Sequence, residues 1–238
     1  MPIPTAMRLT IRTHPADVNP RTRYPFGAYA SPVVDEIGLF PLGMVLLPTE
    51  QVPLHIFEPR YRELIGECLE DEREFGLVFA DEDGLRAIGT RAAVTEVLER
   101  FDDGRLNIVV EGRERFRLVE VSESESYHTG AVEPLVDQRD PADEDSKERA
   151  VELFRRLVEL TGAEVEEPET DEPQLSFALA ARFEFAPPVK QELLQSTSER
   201  LRLERLCELL EGAVEVVARQ QEIAARAQTN GKVDPPAS

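Results

Sequence analysis

Two prolines govern the stretch Phe40–Leu69, FPLGMVLLPTEQVPLHIFEPRYRELIGECL. Pro48 cannot donate to a β-ladder, so it belongs at a strand end or a sheet edge. It separates two short apolar runs of strand length, Met44–Leu47 and Pro53–Phe57. Pro59 fits the first position of a helix, where a missing N–H costs nothing. Beyond it Tyr61, Leu64, Ile65 and Cys68 recur, with Phe57 ahead of them, at the spacing of one helix face. The stretch therefore reads strand, turn, strand, helix. Such a helix must lie back on the sheet to bury its apolar face, which commits the chain to a mixed α+β fold.

The pattern on either side extends this reading. Residues 1–35 carry six prolines and little periodicity and read as an irregular, Pro-rich extension with weak strand character at Met7–Thr13. Residues 36–137 are β-rich. Phe75–Ala80 is a continuous apolar run suited to a strand buried on both faces, and Asp81–Gly84 is a turn. Ala93–Phe101 alternates and ends at Asp102-Asp103-Gly104, a hairpin signal from which Leu106–Val110 returns. Glu111-Gly112 breaks that run, and strands follow around Phe116–Val121 and Tyr127–Val136. After the acidic connector Asp137–Asp145 the period changes from two to 3.6. Residues 138–228 read as four bundled helices. Asp143 or Ser146 is expected to cap the first, and Ser196 with Glu199 to form a capping box for the last. Residues 229–238 read as a disordered tail.

The order of several motifs resembles one known family. FPL-x-x-V-L-x-P followed by PLHIFEPRYR resembles the opening of the Lon protease N-terminal, substrate-binding domain. Phe75–Ala80 (FGLVFA), Ile88-Gly89-Thr90 (IGT), Asp103–Phe116 (DGRLNIVVEGRERF) and Gln191–Leu210 follow in the family's order. The resemblance covers about residues 37–210 and implies a free-standing Lon-N-like protein. It implies a PUA-like β pseudobarrel with one early helix, a C-terminal helical bundle behind it, and a role in recognising polypeptides for proteolysis.

Absences narrow the function. Full Lon proteases add an ATPase with a G-x-x-x-x-G-K-[ST] loop and a Ser–Lys proteolytic site. The only Gly-Lys here is Gly231-Lys232, with Val233 after it, so phosphates have no cradle. The three lysines, Lys147, Lys190 and Lys232, are not placed to activate a serine, and no G-x-S-x-G elbow occurs. Cys68 and Cys207 fall on apolar helix faces as buried thiols, not as a disulfide framework or a zinc site. The acidic runs lack calcium-loop spacing. No catalytic residue, metal or other cofactor is expected. A formal charge of −20 repels phosphate backbones and anionic lipid, so DNA, RNA and membranes are not expected partners. With no signal peptide and no apolar run long enough to span a bilayer, the expected location is the cytoplasm.

What remains is a binding module for unfolded polypeptide or for a partner protein such as a protease or chaperone ATPase. The expected site is a groove between the β-rich and helical halves. Leu47, Pro48, Phe57 and Tyr61 would supply its apolar surface, with His55 on the strand and Arg60 or Arg113 reading polar groups. An edge strand offers a second mode, strand addition. The alternatives are an RNA-binding PUA-like protein using Arg113, Arg115 and Arg117 as a basic stripe, and a hydrolase with an unrecognised site.

Overall fold

The computed structural model describes residues 34–123 and 126–230. The Pro-rich extension up to residue 33, the strand expected at Met7–Thr13 and residues 231–238 lie outside them. The chain runs β1 (Asp35–Leu42), β2 (Gln51–Ile56), α1 (Pro59–Glu70), β3 (Phe75–Asp81), β4 (Gly84–Leu85), β5 (Ile88–Arg100), β6 (Leu106–Glu123) and β7 (His128–Pro134). Helices follow at α2 (Glu144–Thr161), α3 (Leu175–Ala180), α4 (Pro187–Gln195) and α5 (Glu199–Asn230). Thr229 and Asn230, read as tail, thus end the last helix.

The sheet order is β1-β7-β6-β5-β3, and β3 returns to pair β1. Four of these five contacts are antiparallel; β1 with β3 is parallel, Leu39 opposite Gly76. β6 is one 18-residue strand where two were expected, with a register shift in its pairing to β5 beside Gly112. Its first half also pairs β2, from Gln51 opposite Glu111 to Ile56 opposite Leu106.

The opening stretch folds differently from its sequence reading at one point. Met44–Leu47 is not a strand; the strand ahead of Pro48 is β1, and residues 43–50 form a loop whose Val45, Leu46, Leu47 and Pro48 are buried. Tertiary contacts satisfy that loop's backbone. Thr49 N–H donates to the Gly112 carbonyl at 2.8 Å, Gly112 N–H to Glu50 O at 2.9 Å, and Leu47 N–H to the Glu50 carboxylate at 3.0 Å. Gly112 is required there, because a Cβ would lie 2.0 Å from the Leu47 carbonyl oxygen. Thr49 takes a left-handed φ of 65°.

α1 behaves as the spacing predicts. Pro59 opens it, and Tyr61, Leu64, Ile65 and Cys68 are buried against the sheet. Tyr61 stacks on Phe40 at 4.1 Å. Phe57 does not join this face. It precedes the helix and stays exposed.

The four helices bury a second core around Phe154, Phe177, Phe183, Leu203 and Leu206, and Val45, Leu47 and Ile88 of the β-rich half enter it. Asp143 caps α2 by accepting from Ser146 N–H at 2.7 Å. Pro187 and Pro188 open α4 at positions where a missing N–H costs nothing. At α5 the capping residue is Ser198, whose hydroxyl accepts from Leu201 N–H at 3.1 Å. Ser196 does not cap it, and Glu199 turns inward instead.

Glu199 turns inward because the boundary between the halves holds buried charges. Arg115 of β6 donates to the carbonyls of Leu194 and Ser196, both at 2.7 Å, and pairs with Asp137. Arg202 of α5 reaches Asp137, Glu199, Ser176 and the Ser196 carbonyl. Both guanidiniums lie over the Phe177 ring, at 5.0 and 4.0 Å. Lys190 of α4 donates to Glu50 at 2.5 Å, and Gln191 Nε2 to the Ile88 carbonyl at 3.1 Å. Removing such charges from water is costly unless every one is paired in good geometry.

Candidate functional site

The groove expected between the halves is filled. Arg115, Lys190, Gln191 and the Leu47 side chain occupy the boundary, and Leu47 has no exposed surface. Exposed apolar surface lies instead on β2, β6 and β5, where three strands run past the closed ring.

Register builds that surface. β2 sits opposite β6 with Val52, Leu54 and Ile56 against Val110, Ile108 and Leu106, toward the core. The alternate pairs, Pro53 with Val109 and His55 with Asn107, must then face outward. β5 brings Glu99 opposite Asn107 from the other side. His55 Nδ1 donates to Asn107 Oδ1 at 2.6 Å, and Asn107 Nδ2 donates to Glu99 at 3.0 Å. The His55 ring lies nearly parallel to Phe57, 5.9 Å away, and edge-on to Phe101 at 6.0 Å. Arg105 covers Phe101 at 4.9 Å and pairs with Asp103. Phe57 is 59% exposed and Leu98 of β5 is 52% exposed. The polar row fixes the imidazole against which the Phe57 and Phe101 rings lie.

The residues singled out from sequence divide. His55 and Phe57 come together. Arg60 lies in the first turn of α1, held by Glu58 at 2.7 Å and placed 4.7 Å over the Tyr61 ring. Tyr61 is buried beneath it; burial pushes its phenol above the ordinary value, against the charge of Arg60. Leu47 is buried in the helical core and Pro48 is buried beside it in the chain, and Arg113 lies further along β6, paired with Glu111 at 2.7 Å. The basic stripe of Arg113, Arg115 and Arg117 does not form, because Arg115 points into the helical half. Phe101, Asn107 and Arg105 were missed. The Asp102–Gly104 hairpin predicts that β5 pairs β6, but nothing local announces that β2 lies on the far side of β6.

Among the described residues His55 has no hydroxyl or thiol as a hydrogen-bond partner, and no cluster of three metal-ligating side chains occurs. The Cys68 thiol is buried, which pushes it up to about 11, and Cys207 is raised by burial too. Neither is primed as a nucleophile.

The sheet edges are also informative. The Val109 carbonyl accepts from the Thr95 hydroxyl on the β5 side. Val109 therefore turns its backbone groups toward β5, and Pro53 opposite it turns its nitrogen to the outer edge of β2. That edge lacks a donor at its middle. Beyond Val94, β5 pairs only with β6, and two register shifts interrupt it. Both devices discourage strand addition.

Comparison with known proteins places this geometry. Residues 36–212 match the ATP-dependent protease La (LON) substrate-binding domain. The chain is 27% identical over 206 residues to a Lon protease of Paraburkholderia phytofirmans, which covers 80% of this chain and 25% of that protein. It is 30% identical over 146 residues to a Lon protease of Parabacteroides distasonis, covering 57% of this chain and 18% of the other. The chain thus spans a quarter or less of the length of these curated relatives. Among solved structures, a Lon N-terminal domain protein from Xanthomonas campestris superposes with a TM-score of 0.59 at 26% identity, over 73% of this chain and 97% of that one. The N-terminal domain of a Mycobacterium avium complex Lon protease gives 0.56 at 16% identity, over 74% and 98%, a likeness of fold.

Proposed function

The chain belongs to the family of ATP-dependent protease La (LON) substrate-binding domains, and from that membership we propose that it is a non-catalytic module that holds extended polypeptide. The observation that carries this reading is the exposed Phe57 ring set beside His55 and Phe101 on a fixed sheet surface. Rigid exposed aromatics supply contact area at low entropic cost, and Arg60, Asn107 and Glu99 give it a polar rim. Docking by side chains on the sheet face is favoured over strand addition, given Pro53 and the irregular β5 edge. The ring of strands supports reading the β half as a PUA-like pseudobarrel. Two unbonded, buried thiols suit a reducing, cytoplasmic setting.

The test is titration of a fluorescently labelled, permanently unfolded polypeptide into the pure protein. Saturable binding is expected, weakened about tenfold or more by Phe57→Ser or Phe101→Ser, in the range of a contact hot spot. No saturable binding, or binding indifferent to both substitutions, overturns the reading.

A further inference from the structure

A second concavity lies at the other end of α1. Its last turn, with β1 and Tyr127 just before β7, encloses a cleft of about 320 Å³. Ile37, Leu64, Cys68 and the Tyr127 ring form its apolar wall. Gly38 lies on the same wall, and a Cβ there would strike Leu64 Cδ1 at 2.3 Å. Charged groups line the rest: Asp35, Glu36, Glu67 and Glu74, against Arg73 and Arg91.

Most of these charges are already engaged. Arg91 is held by Asp35 at 2.8 Å, and Arg73 by Asp71 at 2.7 Å. Tyr127 donates its hydroxyl to Glu67 at 2.7 Å, and Thr129 donates to Glu36 at 2.9 Å. Both guanidiniums are therefore neutralised, whereas the Glu74 carboxylate makes no hydrogen bond or ion pair among the described residues. Glu74 is half-buried, and burial pushes its carboxyl above the usual range despite the pull of Arg91 and Arg113. An apolar wall ending at a carboxylate that no side chain contacts directly is complementary to a long aliphatic stem that ends in a cation.

We propose that this cleft takes the side chain of a lysine or arginine, its stem along Leu64 and the Tyr127 ring and its charged head at Glu74. As the side chain of a bound polypeptide, this deepens the reading of the chain as a polypeptide-binding module and rests on it. The cleft and the aromatic surface lie at opposite ends of α1, whose 12 residues span about 18 Å. An extended chain covers that distance in about five or six residues. The geometry selects segments in which a basic residue stands about that far from an aromatic or large apolar one.

The experiment has two arms. In the first, the isotopically labelled full chain is titrated with N-acetyl-arginine amide and, separately, N-acetyl-citrulline amide, and amide shifts are followed by NMR. Saturable shifts confined to Gly38, Leu64, Glu74 and Tyr127 are expected with arginine alone, with affinity reduced at least fivefold in Glu74→Gln. Shifts scattered over the acidic surface, equal binding of citrulline, or indifference to Glu74→Gln overturn the assignment. The second arm compares an unfolded peptide carrying an aromatic residue and an arginine six positions apart with its citrulline twin. A fivefold preference for arginine, lost in Glu74→Gln but kept in Phe57→Ser, supports the cleft; equal binding of the twins overturns it. If the capped arginine binds the cleft while neither peptide binds at all, the polypeptide-binding reading fails and the cleft's chemistry stands.

Discussion

Arg202 and Asp137 meet through a two-nitrogen contact, Nη1 to Oδ1 at 3.2 Å and Nη2 to Oδ2 at 2.7 Å, with the guanidinium laid over Phe177. Arg202 is essentially unexposed, and the same carboxylate also takes Arg115 and Gln174. One acid from the connector thus ties strand β6 to helices α3 and α5.

Removing that cation should be expensive. Arg202→Met leaves Asp137 and Glu199 buried with too few donors, a loss expected at about 3–5 kcal/mol. Arg202→Lys should recover little, because an ammonium offers neither the planar fork nor the stacking on Phe177. Urea unfolding followed by circular dichroism measures both; loss of less than about 1 kcal/mol for Arg202→Met would show the contact is idle.

Acid should find the same weak point. Burial pushes the Asp137 carboxyl upward, but the hydrogen bond and charge of Arg202 and the charge of Arg115 hold it below the usual value near 3.8. A depressed folded-state value means the contribution is fully present above the unfolded-state pKa and disappears as pH falls through the folded one. Stability should therefore hold down to about pH 4 and drop below it. Asp137→Asn should flatten that drop while lowering stability at pH 7, as read from unfolding midpoints across pH 2.5–7.

Lys190 and Glu50 form the other cross-boundary pair, both buried. Lys190→Met alone removes the ammonium from a buried carboxylate that also fixes Leu47 N–H, and should cost about 3–5 kcal/mol. The double variant Lys190→Met with Glu50→Gln should be less damaged than the sum of its singles by about 1–3 kcal/mol. Strict additivity in a double-mutant cycle would refute direct coupling.

Gly112→Ala should destabilise by about 1–3 kcal/mol or more, because the added methyl meets a backbone carbonyl rather than a movable side chain. Thermal unfolding would show it. An unchanged Tm would mean that the loop at Leu47 yields.

Tyr61 and Phe57, four residues apart, should respond in opposite ways. Tyr61→Ala opens a void under Phe40 and Arg60 and should cost about 3–5 kcal/mol of stability. Phe57→Ser should leave the unfolding midpoint within about 0.5 kcal/mol while weakening polypeptide binding. Parallel denaturation and binding measurements separate the two.

Helix α1, the β5–β6 hairpin and the start of α2 were legible because each is announced locally: Pro59 and a 3.6 period, Asp-Asp-Gly, and the capping Asp143. Met44–Leu47 misled because four apolar residues read alike whether they form a strand or a buried loop. Distant partners decide between them by bonding the loop's backbone: Gly112, sixty-odd positions away, pairs with Thr49 and Glu50, and the Thr90 hydroxyl donates to the Leu46 carbonyl. The aromatic surface was half legible for the same reason. His55 and Phe57 are neighbours in sequence, but Phe101 and Asn107 reach them through the pairing of β2 with β6, which no local signal encodes. The boundary was misjudged because Arg115 alternates with exposed arginines, and its burial depends on Asp137, Leu194 and Ser196.

The nitrogen of Pro53 and the interruptions of β5 have an implication for coexistence. A surface that receives sticky, unstructured chains risks being recruited into their cross-β growth. On the proposed reading, a sheet that offers rings on its face and no regular template along its β2 and β5 rims would take hold of such a chain and let it go again without becoming a seed.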